Sequence, residues 1–309
     1  MRKKKKAFTL IELLVVVAII ALLISILLPS LQRARELSKR TVCAANARGI
    51  GQACKIYSNE DPDDLFPLVP YKVTQETITY TKQIGQSRSV ETNRSSVSVS
   101  TTRNLWMLVR GTVGGAVTVK QFKCPSSDDS TDDTEDLARY YDFKGYNRIS
   151  YGYHVPYGAK NQTRPSENTD IRMAFVADKG PYSSPGANVQ GGSDPTDDPA
   201  TQWDPLGGCR YPANDVEKKD LDRWRCFNSP NHGGRGSGEG QNVLFADSHV
   251  EFMRIPIVGV DEDNIYAMMD PATPWRFNPS SSPPSQNPVP GEGILGGQTN
   301  SNTDTLIYP

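Results

Sequence analysis

Two histidines and a nearby carboxylate are the side chains whose types best suit metal or acid–base chemistry. His232 is followed, across a glycine-rich segment, by Asp247 and His249, and imidazole nitrogens together with a carboxylate suit zinc or a similar ion. A structural interpretation is favoured, in which His232 and Asp247 hydrogen-bond to hold a loop against a strand. The alternative is a metal cluster of the kind that a secreted metallohydrolase would use.

An acidic run between residues 128 and 136 supplies a second set of candidate ligands. Carboxylates are the hard oxygen ligands that calcium prefers, but the run lacks the ordered D-x-D-x-D-G spacing of a calcium-binding loop. A solvated acidic loop is therefore the favoured interpretation. Calcium is the weaker alternative, and its candidate ligands are Asp128, Asp129, Asp132 and Asp133.

The rest of the chain gives no support for an enzyme or for a nucleic-acid-binding protein. No G-x-S-x-G, Walker, dinucleotide-binding or H-E-x-x-H motif is present. The five cysteines include no C-x-x-C pair, so a structural zinc site of the usual spacing is not expected. Five of the 34 basic residues lie at positions 2–6, which leaves an acidic remainder with no basic stripe to neutralise phosphates. We therefore expect no catalytic residue, no cofactor and no nucleic-acid partner.

The N-terminus joins this basic cluster to a long apolar segment. Residues 8–28 form a run of 21 residues that only Thr9, Glu12 and Ser25 interrupt. A helix of about 20 apolar residues crosses a membrane, and the lysines favour a cytoplasmic N-terminus with the later residues outside. A plain single-pass anchor has no use for Glu12, because a carboxylate costs roughly 2.5–3.5 kcal/mol at the bilayer centre.

Residues 7–12, Ala-Phe-Thr-Leu-Ile-Glu, resemble the processing site of type IV prepilins and type II secretion pseudopilins. The resemblance implies that a prepilin peptidase cleaves between Ala7 and Phe8 and methylates the new amino terminus. It also implies that Glu12 pairs with the terminal amine of a neighbouring subunit. The implied partners are copies of the chain or other pilins, the peptidase, an inner-membrane assembly platform and, before assembly, membrane lipid.

The remaining pattern predicts an α+β fold, in which a long helix packs on an antiparallel sheet. The predicted parts are a leader at 1–7, a helix at 8–58, a head at 59–277 and a polar tail, extended or disordered, at 278–309. Pro29 is expected to kink the helix. Its apolar stripe is predicted from residues spaced by three and four: Val42, Ala45, Gly49, Ala53 and Ile56. Strands are predicted at 97–100, 116–122, 150–155, 171–177, 242–246 and 249–255.

Three further segments resemble a pseudopilin-like family that is abundant in planctomycetes. Its C-x-x-N helix motif matches Cys43 and Asn46, and its F-x-C-P element matches residues 122–125. Its H-x9-D-G element is matched only in part by His232 and Asp247, which are farther apart and are followed by Ser248. A longer hairpin between them is therefore expected.

The cysteines, on the outer side of the membrane, are expected to form disulfides. Cys43 and Cys124 lie in two elements of the family resemblance, which suggests that they pair. Cys209 and Cys226 are a less certain second pair. Cys54 is predicted to be the odd buried thiol, because it lies ~16 Å along the helix from Cys43.

These features predict a subunit of a type IV pilus-like or type II secretion-like filament, located in the inner membrane before assembly with its head in the periplasm or outside the cell. The alternative is a membrane-tethered surface protein that binds a partner or glycan without polymerising. Glu12 distinguishes the two, because only a polymer has a use for a carboxylate at that depth.

Overall fold

Within the part of the chain that the structure describes, the main elements are a long helix, two short helices and one antiparallel sheet. The computed structural model describes residues 10–68, 102–110, 117–154, 165–180, 221–225, 228–234, 238–260, 265–266, 305 and 307–308. Within these ranges the helices are α1 (Leu10–Ser58), α2 (Thr102–Val109) and α3 (Leu221–Trp224). The strands are β1 (Tyr151–His154), β2 (Ala174–Asp178), β3 (Gln241–Phe245), β4 (Val250–Met253) and β5 (Ile307–Tyr308). The predicted α+β class is confirmed.

Helix α1 has 49 residues and is roughly 74 Å long at 1.5 Å per residue. Pro29 lies inside it, and the helix continues beyond Pro29 as predicted; a kink there stays a prediction. Residues 10–35 are all exposed, although most of them are large and apolar. The first half of α1 therefore presents an apolar surface that the rest of the described chain leaves uncovered.

The second half of α1 packs against the sheet through a face that differs from the predicted stripe. Val42 and Ile56 are 49% and 47% exposed, and Ala45 is also exposed, so this part of the prediction was wrong. The predicted stripe did not include the cysteines, although cysteine side chains are buried as often as aliphatic ones. The buried residues are Cys43, Ala47, Ile50, Gly51, Ala53, Cys54 and Ser58.

The sheet has the strand order β4-β3-β2-β1-β5, and all neighbours are antiparallel. Strands β1 to β4 confirm four predicted segments with shifted ends. The segment 116–122 was predicted as a strand, but Val119–Phe122 is a 3-10 helix. A local hydrogen bond explains the difference, since the N–H of Thr118 donates to Oε1 of Gln121 at 2.9 Å. The predicted strand at 97–100 lies outside the described residues.

Both faces of the central strands are buried. Along β3, Leu244 belongs to the core cluster that includes α1, while Val243 and Phe245 belong to a second cluster on the other face. The second cluster includes Ile307 of β5, which is 1% exposed and whose N–H donates to the carbonyl of Ile265 at 2.7 Å. The end of the predicted polar tail is therefore part of the sheet, because the side chain of Ile307 is buried in the second cluster.

Candidate functional site

The N-terminal half of α1 carries the residues predicted to direct assembly. Ala7 and Phe8 lie outside the described residues. Glu12 lies in the exposed apolar part of α1, close to its start. Among the described residues, α1 is the one helix that is long and apolar enough to cross a membrane.

A group of four titratable side chains is buried where α1 meets the sheet. Cys43 comes from α1, Cys124 from the loop after the 3-10 helix, Asp178 from the end of β2, and His232 from the segment before β3. All four residues are 0% exposed. Their ligand atoms all lie within 4.8 Å of one another, so they are the described residues that could hold a metal ion.

The four side chains are arranged around a common centre. Sγ of Cys43 lies 3.3 Å from Oδ1 of Asp178, and Oδ2 of Asp178 lies 3.4 Å from Nε2 of His232. The same Nε2 lies 3.7 Å from Sγ of Cys124. Each donor atom therefore faces the other three rather than solvent.

Neighbouring amides hold the Asp178 carboxylate in place. Asn231 donates its side-chain N–H to Oδ1 at 3.1 Å, and Asn242 donates its backbone N–H to Oδ2 at 2.6 Å. Asn231 is fixed in turn by donating to the carbonyl of Ser150 at 2.7 Å. These hydrogen bonds hold the carboxylate in one orientation.

The second ring nitrogen of His232 contacts a carboxylate on α1. Nδ1 lies 2.9 Å from Oε1 of Glu36, and the hydroxyl of Ser126 donates to the same oxygen at 2.8 Å. Partial burial raises the pKa of Glu36, but the hydrogen bonds from His232 and Ser126 outweigh burial and hold this pKa below its ordinary value. Glu36 is therefore a charged acceptor that fixes the plane of the imidazole ring.

The cluster also shifts the pKa values of its own members. Burial lowers the pKa of His232, but hydrogen bonds to Asp178 and Cys124 and their charges outweigh burial and raise it to about 11. A hydrogen bond from Cys43 is the largest of the causes that together lower the pKa of Cys124 to about 7. Burial is the main cause that raises the pKa of Cys43. The acidic neighbours of His232 therefore favour its protonated form.

The structure brings together the two thiols of the predicted Cys43–Cys124 disulfide, but both are free. Sγ of Cys43 contacts the hydroxyl of Tyr151 at 3.0 Å and Oδ1 of Asp178, while Sγ of Cys124 contacts Nε2 of His232. The predicted bridge is therefore not confirmed. Asn46, the other helix residue of the family resemblance, donates to the carbonyl of Lys123 at 3.3 Å and so ties α1 to the loop that carries Cys124. Cys54 is buried and free, as predicted. Cys209 and Cys226 lie outside the described residues.

Asp247 and His249 do not join His232, so both interpretations that grouped these residues were wrong. His232 forms a bridge with Gly240 before β3 begins, while Asp247 and His249 hydrogen-bond to each other in the exposed turn after β3 ends. The connection between β3 and β4 is short, so the expected longer hairpin is not found there. The residues that lengthen the sequence spacing between His232 and Asp247 lie before β3, between His232 and Gly240. Ser248 adopts the left-handed conformation at φ 74°, which a glycine would adopt without strain.

Three of the four candidate calcium ligands hydrogen-bond to other groups of the protein. Asp129 accepts from Nζ of the buried Lys179 at 2.7 Å. Asp132 accepts from the backbone N–H of Thr134 at 2.9 Å, and Asp133 pairs with Lys144 at 2.5 Å. These three carboxylates act as internal acceptors of the loop. Calcium binding by this loop stays a prediction.

Glu36 and Asp178 are the residues of the buried cluster that sequence reasoning missed. Glu36 precedes Cys43 by seven residues, a spacing that places both on one face of a helix. That spacing was the available signal. Asp178 ends a strand and resembles an ordinary loop carboxylate, so only the tertiary structure reveals its position.

Comparison with curated proteins and with solved structures finds no match for this chain. Comparison with family models matches residues 2–28 to the prokaryotic N-terminal methylation motif. The matched segment contains Ala7, Phe8 and Glu12, so the prepilin-type resemblance of the N-terminus is confirmed. The resemblance of the later segments to the family abundant in planctomycetes is not confirmed. This chain therefore begins with a prepilin-type N-terminal methylation motif, the start that type IV pilins and pseudopilins share.

Proposed function

We propose that this chain is a structural subunit of a type IV pilus-like or type II secretion-like filament, processed by prepilin peptidase between Ala7 and Phe8. The observation that carries the proposal is the combination of the methylation motif with helix α1. One half of α1 packs on the sheet, and the other half exposes an apolar surface. This division of one helix suits a subunit whose heads surround a core of packed helices.

The exposed half of α1 needs an apolar environment. Its large side chains include Leu10, Ile11 and Leu27, which are 78%, 73% and 63% exposed. Lipid can cover these residues before assembly, and neighbouring copies of α1 can cover them afterwards. Either environment removes them from water at a gain of about 25 cal/mol per Å² of apolar surface.

Glu12 favours the polymer over a monomeric tether. A carboxylate in an apolar environment is tolerated when a cation and hydrogen bonds satisfy it. Cleavage before Phe8 would create such a cation four residues away, at the amine of each mature subunit. A filament can then place the Glu12 carboxylate of one subunit against the Phe8 amine of the next.

The variant Glu12→Leu tests this function. Membrane insertion should be retained or improved, because a charge is removed from an apolar segment. Assembly should fail, since losing one partner of a buried ion pair costs about 3–5 kcal/mol. The measurements are the carbonate-resistant membrane fraction and the amount of chain in filaments, either sheared from cells or released from opened envelopes.

Ser25→Leu is the matched control. It also replaces a polar residue of the same segment by leucine, but the Ser25 hydroxyl donates to Leu22 of its own helix at 2.7 Å. Ser25→Leu should insert and assemble as the wild type does. Normal assembly of Glu12→Leu would refute the role given to Glu12, whereas absence of filaments in the wild type would favour the tethered binding protein.

A further inference from the structure

The buried cluster at the junction of α1 and the sheet has the composition of a metal site. We propose that Cys43, Cys124, Asp178 and His232 bind one zinc ion, and that this ion fastens the long helix to the head. The proposal does not depend on filament assembly, because all four residues lie in the second half of α1 and in the head.

The chemical types and the spacing of the four ligands favour zinc. Two thiolates, one imidazole and one carboxylate are all ligands that zinc takes in proteins, with bonds of about 2.0–2.3 Å and tetrahedral geometry. Such bond lengths place neighbouring donors roughly 3.3–3.8 Å apart. The contacts of Asp178 with Cys43 and His232, at 3.3 and 3.4 Å, and the 3.7 Å contact of Cys124 with His232 match that spacing. All donors lie close enough to contact one central ion.

The residues that hydrogen-bond to the four ligands also favour a zinc site. A histidine that binds zinc through one nitrogen usually donates its other N–H to a carboxylate or carbonyl. His232 directs Nε2 to the cluster, and its Nδ1 lies 2.9 Å from Glu36. The backbone N–H of Ser126 donates to Sγ of Cys124 at 3.4 Å, and Tyr151 contacts Sγ of Cys43.

Burial decides which kind of zinc site this would be. All four ligand residues are fully buried, and four protein ligands complete a tetrahedral shell. Structural zinc sites are closed in this way, whereas catalytic sites keep one position for water. The ion therefore serves stability, and a hydrolase centred on His232 is not supported.

The location explains what such an ion would stabilise. The ligands come from α1, from the loop that follows the 3-10 helix, from β2 and from the segment before β3, so one ion would join four separate parts of the fold. The thiol protons and the Nε2 proton of His232 leave to solvent when zinc binds, because zinc takes deprotonated ligands. Binding free energy of a site that exists only in the folded head adds to folding stability.

Metal analysis of the full mature chain, purified in detergent without chelator, tests the proposal. The expected result is one zinc per chain in the wild type and in Cys54→Ser. The control Cys54→Ser removes a buried thiol of the same helix that is not a ligand. Cys43→Ser and His232→Gln should lose the zinc. Zinc-free wild type, or zinc retained by Cys43→Ser, would overturn the assignment.

A second variant keeps the test decisive where a ligand variant fails to fold. Glu36→Gln keeps all four ligands and should weaken zinc binding by about 10–100-fold, because it removes the carboxylate that orients the His232 ring. Competition with a chromogenic chelator measures this affinity. Unchanged affinity would contradict the positioning role of Glu36.

Cobalt replacement and peptide mapping identify the ligands. Wild-type chain refilled with Co²⁺ should show thiolate-to-cobalt charge-transfer absorption and the intense visible bands of a tetrahedral ion. Mapping without reduction should find Cys43 and Cys124 unlinked. A Cys43–Cys124 disulfide in chain exported by cells would overturn the zinc site and support the bridge instead.

Discussion

Substitution of Gly51 should reveal how closely α1 approaches the sheet. A Cβ atom at this position would lie 2.6 Å from Cδ2 of Leu244 and 3.1 Å from its Cδ1, and both residues are buried in the same contact. Alanine favours a helix over glycine by about 1 kcal/mol, whereas overfilling a packed core costs typically about 1–3 kcal/mol. Gly51→Ala should therefore lower the free energy of unfolding by up to about 2 kcal/mol.

Gly49→Ala is the matched control on the same helix. Its Cβ would meet only Nε2 of Gln121 at 2.8 Å, the tip of a partly exposed side chain. The gain in helix propensity should then prevail, and the variant should be as stable as the wild type or more stable by up to about 1 kcal/mol. Urea unfolding of the full chain in detergent, followed by tryptophan fluorescence, measures both variants.

The decisive result is which of the two variants has the larger free energy of unfolding. If Gly51→Ala is at least as stable as Gly49→Ala, then Leu244 moves away at little cost and α1 does not need a glycine against β3. In that event, the packing argument for the head would be refuted. The variant pair is informative because both changes add the same methyl group to the same helix.

Three further outcomes are expected. Intact mass should show a mature chain that begins at Phe8 and carries one added methyl group, and a chain that begins at residue 1 would contradict prepilin processing. Ser248→Gly should raise the free energy of unfolding by about 0.5–1 kcal/mol, because it removes left-handed strain and a shielded hydroxyl with no hydrogen-bond partner; a loss of stability would contradict this. Ile307→Ala should cost about 2–4 kcal/mol, whereas Ile171→Ala, at a site 64% exposed, should change stability by less than about 0.5 kcal/mol. Equal effects of the two isoleucine variants would argue against β5 as part of the sheet.

The parts of the fold that depend on local pattern could be predicted from the sequence. Helix α1 and four strands follow from runs of apolar residues and from their period. The strand predicted at 116–122 failed because a local bond between Thr118 and Gln121 competes with extended structure. The burial of Ile307 was not predicted, because the apolar run at the end of the tail is too short to show a strand period.

The buried cluster could be predicted only in part. The family resemblance singled out Cys43, Cys124 and His232, which do meet, but as two unlinked thiols and an imidazole around Asp178. Cys124 and His232 are 108 residues apart, and Cys43 and Asp178 are 135 apart. No motif relates ligands that are so far apart along the sequence. Only the packing of α1 on the sheet brings them together.

Immunogold electron microscopy with an antibody against the head tests the filament assignment most directly. The samples are material sheared from cells and cell envelopes opened to expose the periplasm. The assignment predicts filaments labelled along their length that are absent when Glu12 is replaced by leucine. Processed chain spread as single labels over the membrane, with no labelled filament in either sample, would contradict it.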